Sequence, residues 1–318
     1  MKKFLLLLLT TALYLSNTVA QDNKNYKNYL KEYKNRCNQF LEYFSRNEKE
    51  LNHNRGALIA LSKINQKQDI PTALKIIDRL TEKPTGDMFW FYPMTALYMY
   101  SKDKLPPEYK AKIRKAFSFY TPNRGDTENH WIMYYTSLYL ISQEFPGETG
   151  DTWFNGRSSD ENFKDADTYL KEWMKITTTV GQGEFDSPNY ADLYAASLVM
   201  LYQFAKDPIM KKKAEIMLNW ILADFFIDYF DAIYAGANSR IYERSILTKR
   251  YDLMSKLGVF LIGDRPLRDK DEKYSYFLEN QVLFALSDYR VPEYVLNLAV
   301  NREEPYESKE MKRSRNRI

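Results

Sequence analysis

The chain has 318 residues, 44% of them hydrophobic and 15% aromatic, with one Cys, two His and a formal charge of +4. A single cysteine excludes an internal disulfide, and with only two histidines no zinc pattern, Asp-rich calcium loop or phosphate-cradling glycine loop is visible, so neither metal nor cofactor is expected. The positive charge lies at the two ends. Residues 21–301 are neutral overall, so the electrostatic footprint of a nucleic-acid binder is missing.

The chain opens Met1-Lys2-Lys3-Phe4, continues through a leucine run and reaches Thr18-Val19-Ala20-Gln21. A basic start, an apolar core and a small-residue cleavage site read as a secretory signal over residues 1–20. The expected product is exported, periplasmic or secreted, with no membrane span after signal removal. Cys37 then reads as a small buried apolar residue.

From there apolar residues recur three and four apart, and no run of alternating strands appears. Helices are predicted over 24–50, 55–65, 70–82, 87–101, 106–119 and 128–143. After a long loop they resume over 161–179, 188–205, 208–229, 240–257, 271–287 and 292–301. Pro71 and Pro106-Pro107 mark two starts; Ser187-Pro188 and Asp207-Pro208 each place a capping residue before a proline. The loop from Glu144 to Asp160 carries Pro146, Gly147, Gly150 and Gly156, and long irregular loops in compact domains are often functional. Short connections make sequential helices antiparallel neighbours. The expected fold is therefore all-α: hairpins forming a closed ring or, less favoured without a strict repeat, an open superhelix. Asn301 to Ile318 is a dense charged run. It reads as a tail, or as the beginning of a further domain.

Three polar stretches can carry chemistry. In Glu128-Asn129-His130-Trp131, a histidine at a helix start suits proton transfer, and Asn129 can donate two hydrogen bonds to a carboxylate or oxyanion. The plainer alternative is a capping asparagine and a surface histidine. In Gly181 to Tyr194, a flexible glycine stretch leads into Ser187-Pro188, and Tyr190 and Tyr194 fall four apart on one helix face. A neighbouring cation would lower a tyrosine pKa there, whereas Glu184 and Asp186 suit paired acids for glycosyl hydrolysis. The plainer alternative is a capped loop. In Gly236 to Arg244, Arg240 and Arg244 lie four apart, and arginine grips carboxylates in fork geometry. Here the alternative is a pair of surface arginines bonded to nearby acids. Aromatic side chains also stack on sugar faces, although most of them serve as core.

Taken together, Glu128-Asn129-His130-Trp131, Glu184-Phe185-Asp186-Ser187-Pro188-Asn189-Tyr190 and Arg240 resemble the helical-toroid polysaccharide lyases, which include alginate, chondroitin and heparinase-III-like lyases. The resemblance is one of motif order over roughly residues 85–250. It implies an (α/α) toroid or incomplete barrel of antiparallel hairpins over 21–301, with residues 302–318 leading toward a missing C-terminal domain. It also implies β-elimination on a uronic-acid polysaccharide, the acidic partner. Asn129 would neutralise the uronate carboxylate. His130 would be the base or its helper. Tyr190 would be the acid, and Arg240 the charge partner. Glu128, Trp131, Glu184, Tyr194 and Arg244 would contact substrate. Two departures stand out: no histidine follows His130, and the β-sandwich that often follows the toroid is absent. A hydrolase using Glu184 or Asp186 with Glu128, and a non-catalytic glycan-binding protein, are the competing expectations.

Overall fold

Helical periodicity is realised along most of the chain in the computed structural model, which describes residues 25–46, 56–85, 87–120, 123–248, 250, 252–268, 276, 278–302 and 305–313. The expected signal segment and His53 lie outside these residues. Thirteen α-helices are present among the described residues. They are α1 (25–45), α2 (Gly56–Gln66), α3 (Ile70–Glu82), α4 (Met88–Ser101), α5 (Pro107–Ser118), α6 (Glu128–Glu144) and α7 (Ser159–Val180). Then come α8 (Ala191–Phe204), α9 (Pro208–Asp228), α10 (Glu243–Leu247), α11 (Leu253–Ile262), α12 (Gln281–Leu286) and α13 (Glu293–Val300).

The polar pattern along each helix decides its layer. α2, α4, α6 and α8 bury side chains on every face. They pack on one another in sequence, and α8 continues the layer onto α11 and α12. A helix that is apolar all round has no face to give to water. α3, α5, α7 and α9 bury one stripe each. They pair with their inner-layer neighbours as α2–α3, α4–α5, α6–α7 and α8–α9, and they touch one another as α3–α5 and α7–α9. α1 lies between distant parts of the chain. Ser62 Oγ donates to Leu41 O, Arg36 donates to Phe260 O and Leu261 O, and the Tyr26 hydroxyl donates to Val291 O at 2.8 Å. Cys37 is buried in this contact.

Several joints follow from local chemistry. Asp69 accepts from Thr72 N ahead of Pro71, and Asp207 accepts from Ile209 N ahead of Pro208. α7 starts earlier than the periodicity indicates because Ser158 and Glu161 form a reciprocal capping box. Four expectations need correction. Of the helix predicted over 271–287, whose residues 271–275 and 277 lie outside the described ones, only Gln281–Leu286 is helical, after a turn at 279–280. The helix predicted over 188–205 begins only at Ala191, after a turn over 187–190. The helix predicted over 240–257 is two, α10 and α11, because Arg240 is left-handed and Asp252 restarts the chain as a cap for Ser255 N. A two-residue hairpin, Tyr229–Phe230 with Ile233–Tyr234, interrupts the all-helical pattern. Asp231 and Ala232 both take positive φ at its turn.

Candidate active site

The three polar stretches meet at one end of the inner layer. Glu184 has no exposed surface. Its Oε2 accepts from the Asn129 backbone N–H at 3.1 Å, from Asn129 Nδ2 at 2.6 Å and from the Tyr194 hydroxyl at 2.9 Å, while Oε1 accepts from Arg240. Glu128, at the first position of α6, accepts from the Glu184 backbone N–H at 2.7 Å, from Trp173 Nε1 at 2.8 Å and from Arg313. The Tyr194 hydroxyl lies between the carboxylates, 3.3 Å from Glu128 Oε2. Burial, then the two carboxylates, raises the Tyr194 pKa well above its ordinary value. A buried carboxylate is stable only when its lone pairs are filled by donors and an opposite charge. Both glutamates meet that condition. The Asn129 amide and the Glu184 carboxylate are thus directed at each other, inside the protein.

Tyr190 turns the other way. The missing first turn of α8 makes it the residue before the helix, so Tyr190 and Tyr194 do not share a face. Its ring carries the Arg240 guanidinium at 4.3 Å, and its hydroxyl meets that of Tyr242. Burial, then the Tyr242 contact, pushes the Tyr190 phenol up to about 12, although Arg240 works in the opposite sense. This reverses the lowering anticipated from a neighbouring cation. Arg240 itself sits at φ 51°, a costly region for a side chain with Cβ, and such outliers cluster at functional sites.

Tyr190 and Tyr242 line a cavity of about 250 Å³. Its apolar wall comes from Leu58 of α2, Phe89, Tyr92 and Pro93 of α4, Met133 of α6, Leu193 of α8 and Leu253 of α11. Asn189, Arg244, Glu279 and Asn280 supply its polar side. A mostly apolar hollow with a few convergent polar groups is the usual form of a small-ligand site. His130 reaches this wall through Phe89, whose ring it meets edge-on at 5.4 Å. Burial lowers the His130 pKa, against the opposing charge of Glu184, so the imidazole is neutral at neutral pH. Trp131 points away: its indole N–H donates to Gly125 O and its ring packs against Arg124 and Tyr169.

The expected site residues therefore divide. Glu128, Asn129, Glu184, Tyr194 and Arg240 form one internal network, and Tyr190 and Arg244 face the cavity. Asp186 belongs to neither. It is buried, takes φ 43°, and shares Gln182 Nε2 with Asp224, at 3.5 and 3.1 Å. Burial, then the Asp224 carboxylate, raises its pKa; burial also raises Asp224. The sequence reading missed Tyr242, which lies between the two arginines it singled out, and Arg313, which sits in the charged run. Among the described residues no group of three or more His, Cys, Asp and Glu side chains is placed to hold a metal, and no helix is long and apolar enough to cross a membrane. Compared with known proteins, the chain matches no family model, no curated protein and no solved structure.

Proposed function

We propose that this chain is an exported polysaccharide lyase that cleaves a uronic-acid polymer by β-elimination at the cavity bounded by Tyr190, Tyr242 and Arg244, within an (α/α) toroid whose ring α1 closes. The observation that carries the reading is the paired Tyr190 and Tyr242 hydroxyls on a cavity wall, with one arginine stacked on Tyr190 and another on the cavity lining. A proton next to a carboxylate is acidic only when that negative charge is neutralised, which cationic and amide donors achieve. Arg244 takes this role, because the Asn129 amide is occupied by Glu184 and the Asn189 amide by Arg240 O and Ser245 Oγ. Tyr190, protonated at neutral pH, gives its proton to the leaving glycosidic oxygen. The C5 proton passes to the Tyr242 oxygen as Tyr242 hands its own proton along the shared hydrogen bond to Tyr190, so both phenols end as they began; Phe89 stands between His130 and the cavity. Arg240 keeps the Tyr190 ring in place.

The hydrolytic alternative has less support. Glu128 and Glu184 are filled by donors, Asp186 is buried beside Asp224, and none of the three lines the cavity.

The test is absorbance at the conjugated-uronate band with purified protein and a panel of alginate, glucuronan, chondroitin, hyaluronan and heparan. One polymer should give rising absorbance. Tyr190→Phe should lower that rate by about 10²–10⁴, the usual range for a positioned proton-transfer group. Release of reducing ends without absorbance would replace the lyase by a hydrolase. Silence in both assays, with retained polymer binding, would make the protein a glycan binder.

A further inference from the structure

Residues 305–313, which form neither helix nor strand, run against the Gly181–Asp186 loop. Gly181 has φ 88°, and a Cβ there would stand 1.7 Å from Met311 O; a Cβ on Gly183 would stand 2.8 Å from Glu128 Oε2 and 3.2 Å from Arg313 Nη2. Gly181 is thus required by close approach of backbone, Gly183 lies against the ends of the Glu128 and Arg313 side chains, and the loop is shaped to receive this segment. Arg302 donates to Phe226 O and Tyr229 O, Tyr306 to Ile227 O, and Lys312 lies over the Phe185 ring. At the end of the segment Arg313 bonds Glu128, each side chain only 9% exposed. A charge pair this buried is held in one geometry, because either partner alone would be desolvated without compensation.

We infer that Arg313 is a positioning residue for the Glu184–Arg240–Tyr190 array, acting through Glu128. The links are continuous. Arg313 fixes the Glu128 carboxylate; Glu128 holds the Glu184 backbone N–H and approaches the Tyr194 hydroxyl; Glu184 holds Arg240; and Arg240 lies on the Tyr190 ring. Trp173 shares Glu128 Oε1 with Arg313. Only the last link rests on the reading of Tyr190 as the proton donor.

Two spectroscopic reporters do not depend on any activity. The Trp173 indole N–H resonance senses Glu128 directly. The His130 titration senses Glu184 and Arg240, as well as Asp126 and Asp87, and His53 is the other histidine in its spectrum. In Arg313→Ala, in the full chain, the Trp173 resonance should move. The His130 midpoint should move as Glu184 and Arg240, which act on it in opposite senses, are displaced. Arg313→Lys should restore part of both. On the polymer that the wild type cleaves, kcat should fall about 100-fold with KM nearly constant, the size of effect that a displacement of about 1 Å produces. Unchanged resonances and titration in Arg313→Ala overturn the inference whatever the activity. Shifted resonances with unchanged kcat also overturn it, by breaking the link to Tyr190. If the wild type cleaves none of the polymers, the lyase reading falls, and the two reporters alone decide whether Arg313 positions Glu184 and Arg240.

Discussion

Glu184 is buried with Arg240 as its counter-charge, while the Arg240 side chain keeps 28% of its exposure. Breaking a buried pair by removing one partner typically costs about 3–5 kcal/mol. Water can partly rehydrate Arg240, so Glu184→Ala should fall near the lower end, about 3 kcal/mol in urea unfolding. A loss below about 1 kcal/mol would mean that the network contributes little. Asn129, Glu184 and Arg240 were legible in the sequence as chemically suited neighbours, and they do meet. What they bond to was not legible. Spacing places a side chain on an element, but whether it faces another side chain or a cavity depends on a neighbour far away in sequence. Asn129 illustrates this: its nearest acid in sequence is Glu128, yet its amide bonds Glu184. Tyr242 was overlooked for the same reason, since only the fold brings it to Tyr190.

At the level of elements, the inner helices were readable because burial on all sides leaves them almost without charge, and Pro71 and the Asp207-Pro208 pair marked two starts correctly. The beginning of α8 was misread. Ser187-Pro188 has the composition of a start signal, but left-handed Asp186 and the turn that follows delay the helix to Ala191. That delay is what separates Tyr190 from Tyr194. The Gly181-Gln182-Gly183 stretch was read as flexible, whereas its glycines are contact positions. Gly181, at φ 88° and ψ 174°, occupies a region open essentially to glycine alone, so Gly181→Ala should destabilise by at least about 1–3 kcal/mol. It should also open Arg313, the basic residue of this segment held away from solvent, to trypsin under native conditions. An unchanged melting temperature and cleavage pattern would show that residues 305–313 pack elsewhere in solution.

Across the whole molecule, buried carboxyls shape the response to pH. Burial raises Asp252 to about 6 and also lifts Asp186, Asp224 and Asp228. A group whose pKa is higher in the folded state binds more protons there, so stability falls as pH rises from the unfolded carboxylate value of about 4 through the folded values. Asp224→Asn removes one of these groups. The drop in urea midpoint between pH 5 and pH 8 should shrink in that variant; an equal drop would mean that Asp224 ionises as freely folded as unfolded. The all-helical class was evident from periodicity, while the landing place of α1 was not, because nothing local encodes a contact between Tyr26 and Val291. That contact has a practical consequence. Cys37 is the chain's single thiol, and it is shielded only while α1 stays seated against α11 and the residues after α12. Its labelling by a thiol reagent, compared with global unfolding, becomes a clock for the opening of that seam. Labelling much faster than unfolding would identify α1 as a separately detaching unit, and labelling at the unfolding rate would identify the molecule as one cooperative body.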